Sequence, residues 1–454
     1  MFKLLVSLVT ILVSSQQDYD AMPARLRTAL DKQPEEVRVV FKPGVYHFQD
    51  DHLHLWGLRC PGTRLSFEGN GAVLSGTAPT ILAGPFTRMD KYVEGVDPEN
   101  KKCRVRTGQR LDGPGKLYIQ ITSWYRTFTG PVTGIQDGYI YFTLDELKKN
   151  GFIYNVNSDL TYGWRRPRFR LLRVQEADGP VSTPVFHFTD CDFRSLSLSG
   201  FVIERNTGGR TEYGKNCAVR FYKNRFGEAS VSGCTFRNLQ SDAVHVIYTD
   251  GVEIRDCRFE DCYRKGVMSY NHSGRTRVVD CSFERMDLAL ENSPCVQCEG
   301  TDYRISGNRF VDYGNTAIRV GVHFIEEMKW PSSGVVENNE IWQSDAYRAA
   351  APMNLLMDTG AIYVTTQNTS LEIRGNYVHD ISGAYDNKGI FCDDGTVNTY
   401  IHDNVVLRIA NSYCIDLRRE RSVENRQDSK IKVVNVGNRL GTNQVDGKVR
   451  FQER

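Results

Sequence analysis

The chain has 454 residues, with 57 Lys and Arg against 55 Asp and Glu and a net charge of +2. This balance argues against a nucleic-acid partner, which requires a concentrated basic surface, and no run of Lys or Arg indicates an anionic membrane partner. The length allows one large domain or two to three ordinary ones. We expect a neutral or mildly charged small molecule or polymer as the ligand.

The N-terminus has the layout of a cleavable secretory signal. Lys3 precedes the apolar run Leu4–Val13, and the small residues Ser14 and Ser15 follow it. We therefore predict a signal peptide over residues 1–17 and a secreted or periplasmic protein. The run is too short to span a bilayer, so no membrane insertion is expected. A buried N-terminal strand or helix is the alternative interpretation of the same residues.

The next segment predicts the start of a repetitive structure. Residues 18–83 combine an amphipathic stretch, Asp20–Lys32, with two strand-like segments, Val37–Phe48 and Pro61–Gly76. The amphipathic stretch predicts a helix that caps the open end of a solenoid. Residues 84–172 break the repeat with short strands and turns and an aromatic, basic run, which predicts a small β-rich insertion.

Residues 173–454 carry a repeated phrase in which a small or acidic residue precedes Cys or Asn. The distances from Cys234 to Cys257 and from Cys257 to Cys281 are 23 and 24 residues. This period matches one turn of a three-strand solenoid, so the prediction is an all-β, right-handed parallel β-helix. The phrase centres on Cys191, Cys234, Cys257, Cys281, Asn308, Asn339, Asn376, Asn404 and Asn438.

A second short strand follows each phrase, with alternating character typical of one buried face. The predicted strands are Ala243–Tyr248, Gly266–Tyr270, Leu288–Glu291, Ala317–Val320, Ala361–Val364, Gly389–Cys392 and Cys414–Leu417. Asn side chains stacked one turn apart predict a hydrogen-bonded ladder, and stacked Cys fill the same slot as small apolar groups. Cys295 and Cys298 are expected in a loop, as a local disulfide or as two free thiols.

Aligning these strands places polar and aromatic side chains in columns on one outer face. Tyr363 stacks with Phe391, Arg319 joins the Tyr363 column, and the alignment continues backward to Ala289, and forward to Asp416. Longer turns flank this face, as is typical of a functional groove in a solenoid. The predicted substrate-binding residues are Arg319, His323, Tyr363, Trp330, His245, Tyr270, Arg418 and Trp124.

Carboxylates on the same face are candidate catalysts, because two carboxyl groups flanking a glycosidic bond can act as acid and as base or nucleophile. The candidates are Asp358, Asp393, Asp394 and Glu291. Close pairs suit a retaining enzyme and wider pairs an inverting one. The alternative interpretation is structural, since Asp residues at the corners of a solenoid often cap turns.

The layout resembles that of secreted β-helix carbohydrate-active enzymes, and is similar to glycoside hydrolase family 141. The resemblance rests on Pro43-Gly-Val-Tyr-His-Phe, on Trp124 before Asp137-Gly-Tyr-Ile-Tyr-Phe, on Asp358-Thr-Gly-Ala-Ile-Tyr and on Asp393-Asp394-Gly. It implies an extracellular or periplasmic enzyme that acts on plant-type or host glycans with two carboxylates as catalysts. For a hydrolase of a poly- or oligosaccharide we predict no cofactor.

Two other functions fit the same residues. A polysaccharide lyase would use Arg319, Lys388 or Arg418 as its base and could bind Ca²⁺ through Asp393 and Asp394. A noncatalytic glycan-binding protein would use the carboxylates only as turn caps. No metal site is predicted for the hydrolase.

Overall fold

Three parallel sheets form a β-helix solenoid in a computed structural model of the chain. The described residues are 8–48, 52–77, 80–84, 87–88, 102–106, 110–123, 126–143, 168–175, 185–206, 217–270, 272–288, 293–321, 332–350, 359–364, 370–382, 387–393, 396–410, 412–417, 423–424, 430–431 and 438–451. Each turn contributes one strand to the third sheet, then one to the first and one to the second. The predicted fold class is therefore confirmed.

The strands are numbered in chain order. The first sheet contains β1 (Leu8–Val13), β2 (Glu36–Phe41), β5 (Arg59–Glu68), β15 (Asp192–Ser199), β18 (Arg225–Ser232), β21 (Val252–Arg255), β24 (Arg277–Val279), β27 (Tyr303–Ser306), β30 (Ser333–Glu337), β33 (Ser370–Arg374), β36 (Thr399–His402) and β41 (Arg439–Leu440). The second sheet contains β3 (Val45–His47), β6 (Val73–Ser75), β16 (Val202–Glu204), β19 (Thr235–Arg237), β22 (Arg258–Glu260), β25 (Ser282–Met286), β28 (Arg309–Tyr313), β31 (Glu340–Trp342), β34 (Tyr377–Ile381), β37 (Val405–Ile409) and β42 (Gln444–Val445).

The third sheet contains β4 (Leu53–Trp56), β14 (Phe186–Thr189), β17 (Cys217–Tyr222), β20 (Asp242–Ile247), β23 (Val267–Tyr270), β26 (Val296–Cys298), β29 (Ile318–Val320), β32 (Thr359–Val364), β35 (Asn387–Cys392), β38 (Tyr413–Leu417) and β43 (Lys448–Phe451). A separate antiparallel sheet is built from β7 (Thr80–Ala83), β8 (Thr87–Arg88), β9 (Lys102–Arg106), β10 (Lys116–Ser123), β11 (Arg126–Gln136), β12 (Tyr139–Thr143) and β13 (Arg168–Gln175). The short strands β39 (Val423–Glu424) and β40 (Lys430–Ile431) pair with each other.

Helix α1 (Gln16–Leu30) covers the N-terminal end of the solenoid core, and starts four residues earlier than the sequence predicts. The Ser15 side chain caps it by accepting a hydrogen bond from the Asp18 amide. Its buried face includes Tyr19 and Leu26, which join the same apolar cluster as the solenoid interior. A second short helix, α2, spans Asp345–Ala350.

The N-terminal apolar run forms β1, which pairs in parallel with β2 on the first turn. Ile11 and Val13 point into the core. This arrangement corresponds to the strand alternative for these residues. The signal peptide and the secreted location remain predictions, because a segment that forms a strand in the full-length chain can still be a cleavable leader.

The interior is one continuous apolar cluster that follows the solenoid axis. The Phe of the repeated phrase forms a stack through Phe236, Phe259, Phe283 and Phe310, with ring centroids 4.9, 4.6 and 4.7 Å apart. This spacing equals the strand separation of about 4.8 Å in a sheet, so identical side chains stay in contact from turn to turn.

The corner between the first and second sheets carries the predicted ladder. Asn308, Asn339, Asn376 and Asn404 are joined by side-chain hydrogen bonds of 2.9 Å from each Nδ2 to the next Oδ1. Cys234, Cys257 and Cys281 occupy the same corner in the preceding turns. The eleven cysteines whose side chains the structure describes are buried free thiols.

Two assignments to this ladder are wrong. Asn404 bonds to Asn443, not to Asn438, since the last turn places Asn438 at the preceding corner, where it accepts from the Thr399 amide. Cys191 also belongs to that other corner, where its amide donates to Asn224.

The predicted pairing of Ala289 with Met268 is wrong as well, and residues 289–291 themselves lie outside the described ranges. The strand of that turn is β26, which places Gln297 rather than Ala289 beside Met268. Cys298 consequently lies in the buried strand β26, and the buried Cys295 directly precedes it, so the predicted loop is not found there. The sequence alone does not distinguish Leu288–Glu291 from Val296–Cys298, because apolar and polar residues alternate in both segments.

Candidate functional site

The outer face of the third sheet carries one polar or aromatic column along the solenoid. Strand register aligns, one per turn, His54, His187, Arg220, His245, Met268, Gln297, Arg319, Tyr363, Phe391, Asp416 and Arg450. The predicted pairings of Arg319 with Tyr363 and of Tyr363 with Phe391 are confirmed.

The long connections of the solenoid lead into or out of this sheet. A long segment separates Val320, at the end of a third-sheet strand, from Ser333 on the first sheet, and another separates Trp342 on the second sheet from Thr359 on the third. The corner between the first and second sheets takes only two residues, as between Arg255 and Arg258. Long connections in a solenoid are often functional, so this sheet is the candidate functional face.

Asp393 follows β35 on this face, with its carboxylate half-buried. Its backbone forms a turn, because its carbonyl oxygen accepts from the amide of Thr396 at 3.2 Å and from its hydroxyl at 2.8 Å. The carboxylate accepts a hydrogen bond from the Tyr363 hydroxyl on the preceding turn, which connects this side chain to the outer column.

A cation and a second aromatic ring lie next to Tyr363, the residue that donates to this carboxylate. The Arg319 guanidinium lies 5.6 Å from the centroid of the Tyr363 ring, within cation–π range. The Tyr363 and Phe391 rings are 5.1 Å apart and inclined at 62°. Small-molecule sites commonly combine aromatic side chains with a few hydrogen-bonding groups in this way.

Two buried charges, Lys388 and Asp416, lie next to Phe391, and the half-buried Arg450 pairs with Asp416. Asp416 is fully buried and accepts two hydrogen bonds of 2.6 Å from Arg450. The Lys388 ammonium lies 4.0 Å from Asp416 and 3.7 Å from the centroid of the Phe391 ring. The hydrogen bonds between Asp416 and Arg450 connect the last strand, β43, to the site. Lys388, which is also fully buried, packs against the Phe391 ring and holds it in place.

A second polar group lies near the middle of the sheet. His245 Nε2 is 2.7 Å from the Asp242 carboxylate, and both side chains are buried. Burial opposes the charge of Asp242, but Lys265, His245 and Arg264 outweigh it and hold the pKa of this carboxyl below its usual range. Burial likewise opposes the charge of His245, yet Cys217 and Asp242 raise its pKa to about 10. The pair is thus an imidazolium and a carboxylate at neutral pH.

The match to known proteins follows the fold. The sequence matches the family described as the right handed beta helix region over residues 180–326 and 227–428, which together cover more than half of the chain. The chain belongs to the right-handed β-helix family. Among curated proteins, none matches the sequence.

Solved structures similar to this β-helix protein include carbohydrate-active proteins. One named "Glycoside hydrolase" has a TM-score of 0.58 at 10% identity, and the match covers 96% of each chain. Another, the complex of XylC with xylose, has a TM-score of 0.50 at 9% identity, covering 97% of this chain and 76% of the other. At these identities the likeness shows the shared fold.

The structure describes four of the predicted substrate-binding residues of the β-helix protein, and one predicted catalytic residue. Arg319, Tyr363 and Asp393 come together, whereas His245 and Tyr270 form a separate group with ring centroids 6.5 Å apart. The remaining predicted residues lie outside the described ranges: Asp358, Asp394, Glu291, His323, Trp330, Arg418 and Trp124.

Sequence reasoning missed Asp242, although it lies three residues before His245 at the start of a strand. The only signal in the sequence was an acid three residues before a histidine on the same predicted strand. Among the described residues, no cluster of three or more His, Cys, Asp or Glu side chains could hold a metal ion. The helices within those same ranges include none long and apolar enough to cross a membrane.

The antiparallel sheet of the β-helix protein contacts the edge of the third sheet. Arg170 on β13 donates to the Leu288 carbonyl oxygen at 2.8 Å and to Gln120 at 2.6 Å. Burial lowers the pKa of Arg170 to about 10. Leu288 lies on the connection into β26, so this contact places the insertion beside the candidate face.

Proposed function

We propose that this protein is a secreted glycoside hydrolase that cleaves a poly- or oligosaccharide on the outer face of the third sheet. The observation that carries the proposal is the half-buried Asp393 carboxylate, which is oriented by the Tyr363 hydroxyl beside Arg319. The similarity in fold to a structure named "Glycoside hydrolase" supports the same class of reaction.

The chemistry requires a second carboxyl group. In a glycosidase one carboxylic acid protonates the leaving oxygen, and the other acts as nucleophile or activates water. We propose Asp393 as one member of the pair and Asp358, Asp394 or Glu291 as its partner. A separation of about 5 Å would make the enzyme retaining, and about 6.5–9.5 Å would make it inverting.

Substrate recognition would use the neighbouring groups. Arg319 can donate hydrogen bonds to sugar hydroxyls, and the half-buried Tyr363 ring, which packs against the buried Phe391 ring, gives an apolar surface for the sugar ring. We assign the same role to His323, Trp330, Arg418 and Trp124, with His245 and Tyr270 further along the face. In keeping with the resemblance to glycoside hydrolase family 141, we propose a plant-type or host glycan as the substrate, and we expect no cofactor.

The proposal is tested by the products that the purified protein releases from neutral and uronate glycans. We expect saturated sugars from wild type, and loss of this activity in Asp393→Asn. Asp394→Asn tests the partner carboxylate in the same assay.

Other outcomes would replace the hydrolase. Unsaturated ends that form only from uronate polymers and disappear with a Ca²⁺ chelator would indicate the lyase. No turnover on the whole panel, with glycan binding unchanged in both variants, would indicate a noncatalytic glycan-binding protein.

A further inference from the structure

A buried arginine without a carboxylate partner lies on the outer face of the third sheet. Arg220 on β17 is only 7% exposed. Within the described ranges no Asp or Glu forms an ion pair with it, and its Nε has no hydrogen-bond partner. Two buried carboxylates of the same face do have basic partners, since Asp242 lies 2.7 Å from His245 and Asp416 accepts from Arg450 at 2.6 Å.

The groups that contact Arg220 carry no negative charge. Its Nη1 lies 2.9 Å from His187 Nε2, and because a guanidinium can only donate, that imidazole nitrogen is the acceptor. The guanidinium carbon lies 4.6 Å from the centroid of the Tyr222 ring. Burying a cation without an opposite charge is costly. Arg220 therefore provides a position for an external anion.

Lys223 supplies a second cation beside the same ring. Its Nζ lies 5.2 Å from the centroid of the Tyr222 ring and 5.7 Å from that of the Tyr248 ring. The two rings are 6.0 Å apart and inclined at 82°, and Tyr248 is 38% exposed. This surface therefore combines two positive charges with an exposed aromatic side chain.

Lys223 and Tyr248 occupy a corner whose backbone suits neither residue type. Both have left-handed conformations, with φ of 55° and 49°. In two earlier turns the same corner is taken by Gly57 and Asp190, and the amides of Gly57, Asp190 and Lys223 each donate to the end of the following third-sheet strand. Gly and Asp tolerate this conformation, whereas Lys and Tyr are strained there. Strain of this kind is common at binding sites.

The acids at neighbouring corners are engaged elsewhere. Asp190 pairs with Arg59 at 2.7 Å, and Asp250 accepts from the Gly274 amide. The two cations beside Tyr222 therefore give this surface a positive potential, which is complementary to an anionic ligand.

We propose that Arg220, Lys223, Tyr222 and Tyr248 form a binding site for an acidic sugar of a polysaccharide. The carboxylate or sulfate ester of the sugar contacts the two cations, which form charge-assisted hydrogen bonds with oxygen anions. Its ring packs against the exposed Tyr248. That the anion belongs to a glycan rests on the proposed function, whereas the binding of an anion rests on Arg220 and Lys223 alone.

This site is distinct from the group around Asp393. In the order of the third sheet, β17 lies five strands before β32, the strand that carries Tyr363. At about 4.8 Å for each strand, the separation along the solenoid axis is about 24 Å. A polymer long enough to reach both places can therefore be held at Arg220 while another part of it lies at Asp393.

The test is isothermal titration of the full chain with three probes: an oligogalacturonide, its methyl-esterified neutral form and a sulfated galactan oligomer. We expect at least one acidic probe to bind at least about tenfold more tightly than the neutral one. Arg220→Gln and Lys223→Gln should each reduce that preference at least about fivefold. Lys448→Gln is the matched control, because it removes an exposed lysine from the last strand of the same sheet, and it should leave the preference intact.

Equal affinity of wild type for acidic and neutral probes would overturn the proposal, as would the absence of binding to both acidic probes. Lys223 is exposed, so an unchanged preference in Lys223→Gln decides against the site even if the buried Arg220→Gln does not fold. Tighter binding of the sulfated probe assigns a sulfate ester as the ligand group, and tighter binding of the oligogalacturonide assigns a carboxylate. Binding requires no hydrolysis, so a failure of the proposed hydrolase is seen separately, in the product assay.

Discussion

Replacing Asn376 by Ala removes the central member of the Asn ladder. Its Nδ2 donates to Val336, Arg374 and Asn404, and its Oδ1 accepts from the amide and Nδ2 of Asn339. Some of these partners keep another bond: the Arg374 carbonyl still accepts from the Asn338 amide, and Asn404 Oδ1 still accepts from the amide of residue 376.

The main loss falls on Asn339, whose amide and one Nδ2 proton have no acceptor left in this arrangement. A buried donor that loses its acceptor costs about 1–3 kcal/mol. We therefore expect Asn376→Ala to destabilise the protein by about 3 kcal/mol, once the partial relaxation of the corner is included.

Cys257→Ala is the matched control, since its thiol occupies the same corner in an earlier turn. The sulfur lies 3.4 Å from the Val231 carbonyl oxygen and 3.3 Å from that of Arg255, in the geometry that Asn376 shows with Val336 and Arg374. Its removal deletes one small buried group, which costs about 1 kcal/mol.

Urea unfolding gives the global values, and hydrogen exchange gives the local one, because solenoids need not unfold in two states. The Asn339 amide should lose protection in Asn376→Ala and keep it in Cys257→Ala. Equal destabilisation by the two substitutions would refute the reasoning, since the ladder would then contribute no more than side-chain packing.

Three further substitutions test other parts of the account. Tyr363→Phe removes the hydrogen bond that orients Asp393, and should lower kcat/KM about tenfold without changing the unfolding midpoint. Arg450→Met removes both hydrogen bonds to the buried Asp416, and urea unfolding should show a loss of about 3 kcal/mol. Gly300→Ala drives a Cβ into a backbone carbonyl oxygen of the preceding turn, which should cost about 1–3 kcal/mol in thermal unfolding. An unchanged kcat/KM in the first variant, or an unchanged stability in the second or third, would contradict the role given to the contact that the substitution alters.

The solenoid could be predicted because each turn repeats the same local chemistry. Each corner that carries Asn308, Asn339, Asn376 or Asn404 has the same length, so the position of the Asn fixes the register of the strand that follows it. The alignment of Arg319 and Tyr363 was correct for the same reason. Near that corner, residues at the same distance from the Asn in the sequence occupy the same position in successive turns of the solenoid.

The prediction failed where connections vary in length. Leu288–Glu291 and Val296–Cys298 both alternate, and nothing in the sequence marks which one joins the third sheet. The contact between Arg170 and Leu288 depends on the insertion, which the repeat does not encode. Asp242 was missed because a strand-initiating Asp is usually a turn residue, and only the three-dimensional proximity of His245 distinguishes it.

Glycan hydrolysis by Asp393→Asn tests the central claim most directly, with Asp256→Asn as the control. Both substitutions neutralise one carboxylate, but Asp256 is exposed at the corner between the first and second sheets. We predict that kcat/KM on the best substrate falls at least about a hundredfold in Asp393→Asn and stays at the wild-type value in Asp256→Asn. Wild-type activity in a folded Asp393→Asn variant would contradict the assignment of the active site to the outer face of the third sheet.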